Sequence, residues 1–456
     1  MLFRSEERLA AGLGGLEKAA IAANEKIESI WLNPASEAAL TVEVTRERTP
    51  NESSRLLRQQ LQVEALQLIH QHTSNVARGS LTSLAAAQPP SRASASISAR
   101  TAAVTFLTTE KGLSILVETA RGFEAVSVAV AKPQLNRAIQ GFRQVLARPD
   151  INAKPAAIAL YDLIFRATDT ALKRQGIQRI YLTLDGALRY VPFAALHDGR
   201  QYLVNRYLFA NGSGAGKVSR VRKDSGLRDY SFAVFAASQF DSAALVAAKL
   251  DAASLPNAIR ELYLTADALQ RRRGTAMAAT STEADLDRYG KRFAEFSSKQ
   301  LSDTMQATIR PKVIHIASHF QFSPAVEAES KLLTRDGFVT LREMSAWNWQ
   351  GIDLVTFSAC NTGLTGAESS AARESGGPHD VVLRAGANNV IASLWMVNDA
   401  STATFMPKLY SDTAQAGDWG RRIHNTQRWF ARGGAGVQYA HPHHWAAFVL
   451  HTRVRF

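Results

Sequence analysis

Two apolar runs of β-forming residues stand out in the second half of the chain, Val313-Ile-His315-Ile-Ala-Ser-His319 and Asp353-Leu-Val-Thr-Phe-Ser-Ala-Cys360. Short continuous apolar runs bounded by turn residues read as strands buried on both faces, as in parallel sheets covered by helices. Two further runs, Tyr230-Ser-Phe-Ala-Val-Phe-Ala-Ala237 and Asn389-Val-Ile-Ala-Ser-Leu-Trp395, have the same character. Between and after them, helical spacing covers Pro256 to Gln270, Ser401 to Tyr410 and Asp418 to Phe430. Strands alternating with helices predict a largely parallel, three-layer α/β unit.

The same alternation is legible upstream. Ala102 to Val117 reads as two strands joined at Glu110-Lys111-Gly112, and Phe123 to Val130 as a third. Helices are expected at about Gln134 to Ala147 and Ala156 to Lys173, and Gln178 to Leu184 is another buried strand closed by Asp185-Gly186. Ser80 to Arg100, with Pro89-Pro90 and alternating Ser and Ala, reads as a linker. Before it, Leu9, Leu13, Leu16 and Ile21, then Leu57, Leu61, Leu66 and Ile69, recur near helical spacing. They predict two long helices separated near Asn33-Pro34 and Thr49-Pro50. The organisation is therefore a helical N-terminal extension over residues 1–80, a first α/β unit over 81–225 and a second over 226–456.

Composition adds limits. With 456 residues, 46% hydrophobic and 20% charged, the chain is long enough to bury more than one core. No run of 18 or more apolar residues occurs, and Met1-Leu-Phe-Arg-Ser-Glu-Glu-Arg carries charges where a secretory leader has its apolar core. A cytoplasmic protein with no membrane segment is expected. The single cysteine, Cys360, excludes an internal disulfide framework. The net charge of +13 raises the question of nucleic acid, but phosphate binding needs clustered Lys and Arg. Arg271-Arg-Arg273 is the densest run and reads as a solvated helix end or loop, so direct nucleic-acid binding is not expected and an acidic protein partner is at least as plausible.

Cys360 closes one of the apolar runs, just before Asn361-Thr-Gly363. A cysteine inside a core is a small inert hydrophobe. One at the carboxyl end of a strand faces the crevice in which α/β sheets bind ligands. His319 closes a comparable run 360 − 319 = 41 residues earlier, so a base and a nucleophile can converge there. His315 and His319 are four apart and share a strand face, yet no HExxH pattern or nearby carboxylate supports a metal. His315, between Ile314 and Ile316, reads as structural. Pro442 sets His441, His443 and His444 in a loop or helix start rather than a metal site, and Trp445 to Phe448 reads as core.

Four blocks together resemble the CHAT-domain family of caspase-like cysteine peptidases: His315-Ile-Ala-Ser-His319-Phe320, Ser358-Ala-Cys360-Asn361-Thr-Gly363, Arg384 to Asp399, and His441-Pro-His-His-Trp445-Ala-Ala-Phe448. Leu184 to Gly199 resembles that family's upstream block, so the likeness runs over about residues 81 to 456. The separation of His319 and Cys360 is also near the roughly 50 residues between base and nucleophile in caspases. The resemblance implies a caspase-like three-layer α/β/α sandwich, with a cysteine-free pseudo-caspase unit followed by an active one. It implies a His319 and Cys360 dyad, with the backbone N–H groups of Cys360 and Phe320 as oxyanion donors. Phe320 stands where many caspase-like enzymes carry glycine.

For the substrate pocket the resemblance implies a floor at Ser358 and a wall from the strand ending at Trp395. Leu394-Trp-Met-Val-Asn-Asp399 is also similar to a segment of separases, which cut after arginine, and Asp399 offers a carboxylate for a cationic side chain. The alternative is that Asp399 caps the following helix, leaving Ser358 and Trp395 to shape an apolar pocket. The expected function is a cysteine endopeptidase, with no cofactor and no metal, acting on a specific protein substrate. By analogy with relatives it answers to an activating protein partner in a bacterial defence or cell-death module. The alternative from another class is a catalytically silent interaction or scaffold protein on the same fold.

Overall fold

The runs that contain His319 and Cys360 lie side by side as parallel strands of one sheet. The computed structural model describes residues 29–33, 41–45, 97–108, 112–212, 231–247, 253–272, 290–323, 327–360, 377–395, 397–412 and 418–453. Its strands are Ser29–Asn33 (β1), Thr41–Thr45 (β2), Thr101–Thr108 (β3), Leu113–Thr119 (β4), Gly122–Val128 (β5), Arg179–Thr183 (β6), Leu208–Gly212 (β7) and Phe232–Ala236 (β8). They continue with Gly290–Ala294 (β9), Val313–Gln321 (β10), Lys331–Thr334 (β11), Gly337–Thr340 (β12), Leu354–Cys360 (β13), Asn389–Ser393 (β14) and Phe448–Thr452 (β15). Among the described residues, thirteen strands form one sheet in the order β12-β11-β10-β13-β14-β15-β7-β6-β3-β4-β5, with β8 and β9 joined at β10.

The sheet is mixed rather than parallel throughout. Strands β9, β8, β10, β13 and β14 are parallel, whereas β15 is antiparallel to β14 and parallel to β7. At the far end β3, β4 and β5 make an antiparallel meander. The two α/β stretches are thus joined edge to edge by β15, the last strand of the chain. That strand follows Trp445, Ala446 and Ala447, all buried as the sequence predicts.

Pleating separates two apolar faces. From β10 and β13, Val313, Ala317 and Leu354 join one core with Ala258, Leu262, Ala266 and Leu269 of the helix Ala258–Arg272 and with Phe405, Met406 and Leu409 of the helix Asp399–Ser411. The alternate positions, Ile314, Ile316, Phe320, Val355 and Phe357, join a second core with Leu301, Met305, Leu341, Met344, Val382 and Leu383 from helices on the other face. Helices therefore cover both faces, and this half is the expected three-layer sandwich. Capping boxes start two of the covering helices, at Ser297 with Gln300 and at Thr340 with Glu343. Each satisfies helix N–H groups that would otherwise lack partners.

Two stretches expected to be helical differ in detail. The predicted helix from Ala156 to Lys173 is two helices, Lys154–Ile164 and Arg166–Arg174. Phe165 between them has φ of −130° and packs its ring against Phe193, Tyr207 and Phe209. Tertiary aromatic packing outweighs local helix propensity there. In the N-terminal region, β1 and β2 pair antiparallel, from Ser29 beside Thr45 to Asn33 beside Thr41. They occupy the interval between the two expected helices, where Thr41-Val-Glu-Val-Thr45 is rich in β-branched residues. The helical stretches themselves, and the linker up to residue 96, lie outside the described residues. Among the described residues no helix is long and apolar enough to cross a membrane.

Candidate active site

Strands β10 and β13 pair from Val313 beside Leu354 to His319 beside Cys360. On the other side of β10, β8 keeps pace only to Ala236 beside Ala317. The chain then leaves the sheet, with Ala237 N–H still donating to Ala317 O at 3.0 Å. His319 consequently stands beyond the last β8 pair, at the carboxyl end of parallel strands, where α/β sheets place their ligand-binding crevices.

Strand β10 does not stop at His319, as the sequence run had indicated. Phe320 and Gln321 continue into an antiparallel pair with Leu332 and Lys331 of β11. The β11–β12 hairpin supplies the partner that prolongs the strand. Phe320 turns its ring into the second core, and the expected turn Asn361 to Gly363 lies outside the described residues.

The His319 imidazole is half-buried. Its Nε2 lies 2.7 Å from Ala253 O, and its ring centroid is 5.3 Å from that of Phe240. A carbonyl oxygen can only accept, so Nε2 carries the hydrogen and Nδ1 of the neutral ring is left as the acceptor. The chain thereby assigns the histidine a definite tautomer.

Below this pair lies a buried polar chain. His315 Nε2 meets Glu261 Oε1 at 2.8 Å, and Nδ1 meets the Tyr410 hydroxyl at 3.2 Å. The same hydroxyl donates to Thr356 Oγ1 at 2.7 Å. His315 and Thr356 are register partners four residues before His319 and Cys360. All four members are buried, so their mutual bonds replace the water each has lost. Burial also drives the Tyr410 phenol well above its ordinary range. His315 is thus an internal strut and not a second candidate base facing the crevice.

The expected pocket residues diverge. Ser358, the register partner of Ala317, has a buried Oγ with no hydrogen bond among the described residues. Asp399 is the first residue of its helix, and its Oδ2 accepts from Asn257 N–H at 2.7 Å. The cap itself is Asn398, whose side chain accepts from Ser401 N–H at 3.1 Å. Trp395 is only 3% exposed, and its indole N–H donates to His443 O at 3.1 Å, so it backs the turn from inside the core. The three C-terminal histidines have separate partners: His441 takes Ile151 O, His443 takes Leu146 O and His444 takes Ser401 Oγ.

Several contributors have no signature in the sequence. Ala253 acts through its carbonyl and Asn257 through its amide, which every non-proline residue possesses. Both belong to the segment leading into the helix of Glu261, so one stretch of chain touches His319, Asp399 and His315.

No curated protein sequence matches the chain. Two crystal structures of the Saccharomyces cerevisiae separase–securin complex, at 3.0 and 2.6 Å resolution, are similar with a TM-score of 0.45 and 8% and 9% identity. The overlap covers 79% of this chain but 30% of the separase chain, so this protein spans less than a third of that relative. A CHAT domain matches residues 154–453. That match takes in the strand pair, the helices above it and the closing strand β15, and the chain belongs to the CHAT-domain family.

Proposed function

We propose that this protein is a caspase-like cysteine endopeptidase whose dyad is His319 and Cys360. The carrying observation is their adjacency in register at the crevice end of β10 and β13. The His319 to Ala253 bond supports it by leaving Nδ1 available to a thiol. A free thiol titrates near 8.5, so a neighbouring imidazole is needed to raise the thiolate fraction at neutral pH.

In this mechanism the Cys360 thiol passes its proton to His319 Nδ1 as sulfur attacks the scissile carbonyl carbon. The oxyanion is held by the backbone N–H groups of Cys360 and Phe320, each good donor being worth about 3 to 4 kcal/mol. His319 Nδ1–H then protonates the leaving amine and the thioester remains. Water, deprotonated by the same nitrogen, hydrolyses the thioester and restores the thiol. Ser358 serves as the pocket floor and Asp399 as the carboxylate for an arginine side chain, with Trp395 supporting the turn behind them. Residues 81–225 act as a cysteine-free pseudo-caspase unit and residues 1–80 as a regulatory extension. The substrate is a specific protein, and a protein partner activates the enzyme in a cytoplasmic defence or cell-death module.

The test is cleavage itself. A protein mixture treated with the wild-type chain should acquire new N-termini that are absent after treatment with Cys360→Ala. The same new N-termini from both would remove the dyad. No new N-termini from a chain whose Cys360 also ignores peptide electrophiles would point to a silent interaction protein.

A further inference from the structure

Glu295 follows the last residue of β9 and, among the described residues, is the one non-glycine residue with positive φ, at 50°. This region crowds the Cβ of an L residue against its own backbone, and such outliers persist only where surrounding contacts hold them. The contacts are clear. The Glu295 carboxylate accepts from Ser238 N–H and Gln239 N–H, each at 3.1 Å, and from the Ser238 hydroxyl. The next residue is fixed as well, Phe296 N–H donating to Ala236 O at 3.3 Å and its carbonyl accepting from Arg335 N–H at 3.0 Å.

Ser238 and Gln239 form the corner where the chain leaves β8, and two lines run from that corner to His319. Phe240, the next residue, lays its ring against the imidazole. Ser238 O accepts from Leu255 N–H at 3.1 Å, which ties down the segment containing Ala253, the residue whose carbonyl takes His319 Nε2. Both the wall and the acceptor of the imidazole therefore depend on a corner that one carboxylate holds.

We propose that Glu295 is a positioning residue of this site: its carboxylate fixes the Ser238–Gln239 corner and, through Phe240 and Ala253, the orientation and tautomer of His319. The inference rests on the reading of His319 as the general base. A carboxylate suits the role because it offers only acceptors to three converging donors. In Glu295→Gln one oxygen is replaced by an NH2 that faces donors. Glu295→Gly relieves the backbone at positive φ while removing the carboxylate, so it separates stability from positioning.

The test uses the full chain with 15N-labelled histidine. The nitrogen shifts of His319 should report an Nε2–H tautomer in the wild type and a mixture in Glu295→Gln and Glu295→Gly. The rate of Cys360 alkylation by a peptide chloromethyl ketone near neutral pH should fall about tenfold to a hundredfold, the scale expected for a displaced catalytic group. Ser238→Ala, which removes one of the three donors, should move both readouts in the same direction by less. Unchanged His319 shifts in a folded Glu295 variant would overturn the proposal. If neither Glu295 variant folds, unchanged shifts in Ser238→Ala overturn it instead. Should the wild-type thiol react no faster than a free cysteine, the dyad reading fails, while the imidazole shifts still decide the role of Glu295.

Discussion

His315 and Thr356 are register partners on β10 and β13, and a single hydroxyl, that of Tyr410, bonds to both. This cross-link lies directly below the positions of His319 and Cys360. It makes the spacing of the two strands a property of a buried polar network as well as of the backbone ladder.

Removing His315 leaves the buried Glu261 carboxyl group without this hydrogen bond, a change expected to cost about 1 to 3 kcal/mol before the cavity left by the ring is added. His315→Ala should therefore lower the urea midpoint strongly. Tyr410→Phe, which loses the bonds to His315 and Thr356, should cost about 1 to 3 kcal/mol. A His315→Ala chain of wild-type stability but without activity would mean that His315, not His319, is the base.

Gly386, within the Arg384-Ala-Gly-Ala block, has φ of 128°, and a Cβ there would lie 2.8 Å from Gln350 N. Neither the backbone nor the neighbour accommodates a side chain. Gly386→Ala should destabilise by about 1 to 3 kcal/mol through strain and overpacking, measurable as a lower thermal midpoint. A midpoint equal to that of the wild type would show that β14 and its preceding helix do not require this close approach.

Stability should fall as the solution is acidified from near neutral. Burial, aided by Arg428 for His424 and by His443 for His444, lowers both histidines from an ordinary 6.5 to about 4. Held neutral in the fold, they bind fewer protons than the unfolded chain between these values. Their contribution is complete above pH 6.5 and is lost as pH falls to about 4, by up to about 1.4 kcal/mol per pH unit for each. His379 and His451, whose rings are 3.9 Å apart, are lowered by burial too and add in the same direction. Asp198 acts further down: burial works against its charge but is outweighed by bonds from Gln201 N–H and Arg206, which hold it at about 2. Its contribution disappears as pH falls from 3.8 through about 2. Urea midpoints between pH 4 and 7 test this, and a flat profile contradicts it.

If Asp399 lines the pocket as proposed, variants of Asp399 and Asn398 should separate specificity from stability. Asn398→Ala removes a helix cap and should cost about 1 kcal/mol without altering cleavage preference. Asp399→Asn should reduce cleavage after arginine about tenfold or more, as for loss of a hydrogen bond to a charged group. Profiling against a peptide library decides, and an aliphatic preference unchanged by Asp399→Asn removes that carboxylate from the pocket.

Much of this was legible because buried parallel strands leave an unbroken apolar signature, as in Val313 to His319 and Leu354 to Cys360. Strand β15 left little, since Phe448-Val-Leu-His-Thr is short and becomes a strand by filling a slot between β14 and β7. Strand β7, Leu208-Phe-Ala-Asn-Gly, lacks β-branched residues and ends in turn formers. At the site, the histidine and cysteine were legible as side-chain chemistry. Ala253 O and Asn257 N–H were not, because backbone groups have no letter of their own. Trp395 reads the same whether it lines a pocket or fills a core, and Glu261 on an amphipathic helix reads as a solvated charge until the fold sets it against His315.

The most direct test of the central claim is the pH dependence of Cys360 labelling by a peptide electrophile in the wild type and in His319→Ala. An imidazole beside the thiol should keep the wild-type rate high well below pH 8.5, whereas His319→Ala should return the profile to that of a free thiol near 8.5. Superimposable profiles for the two chains would contradict the account.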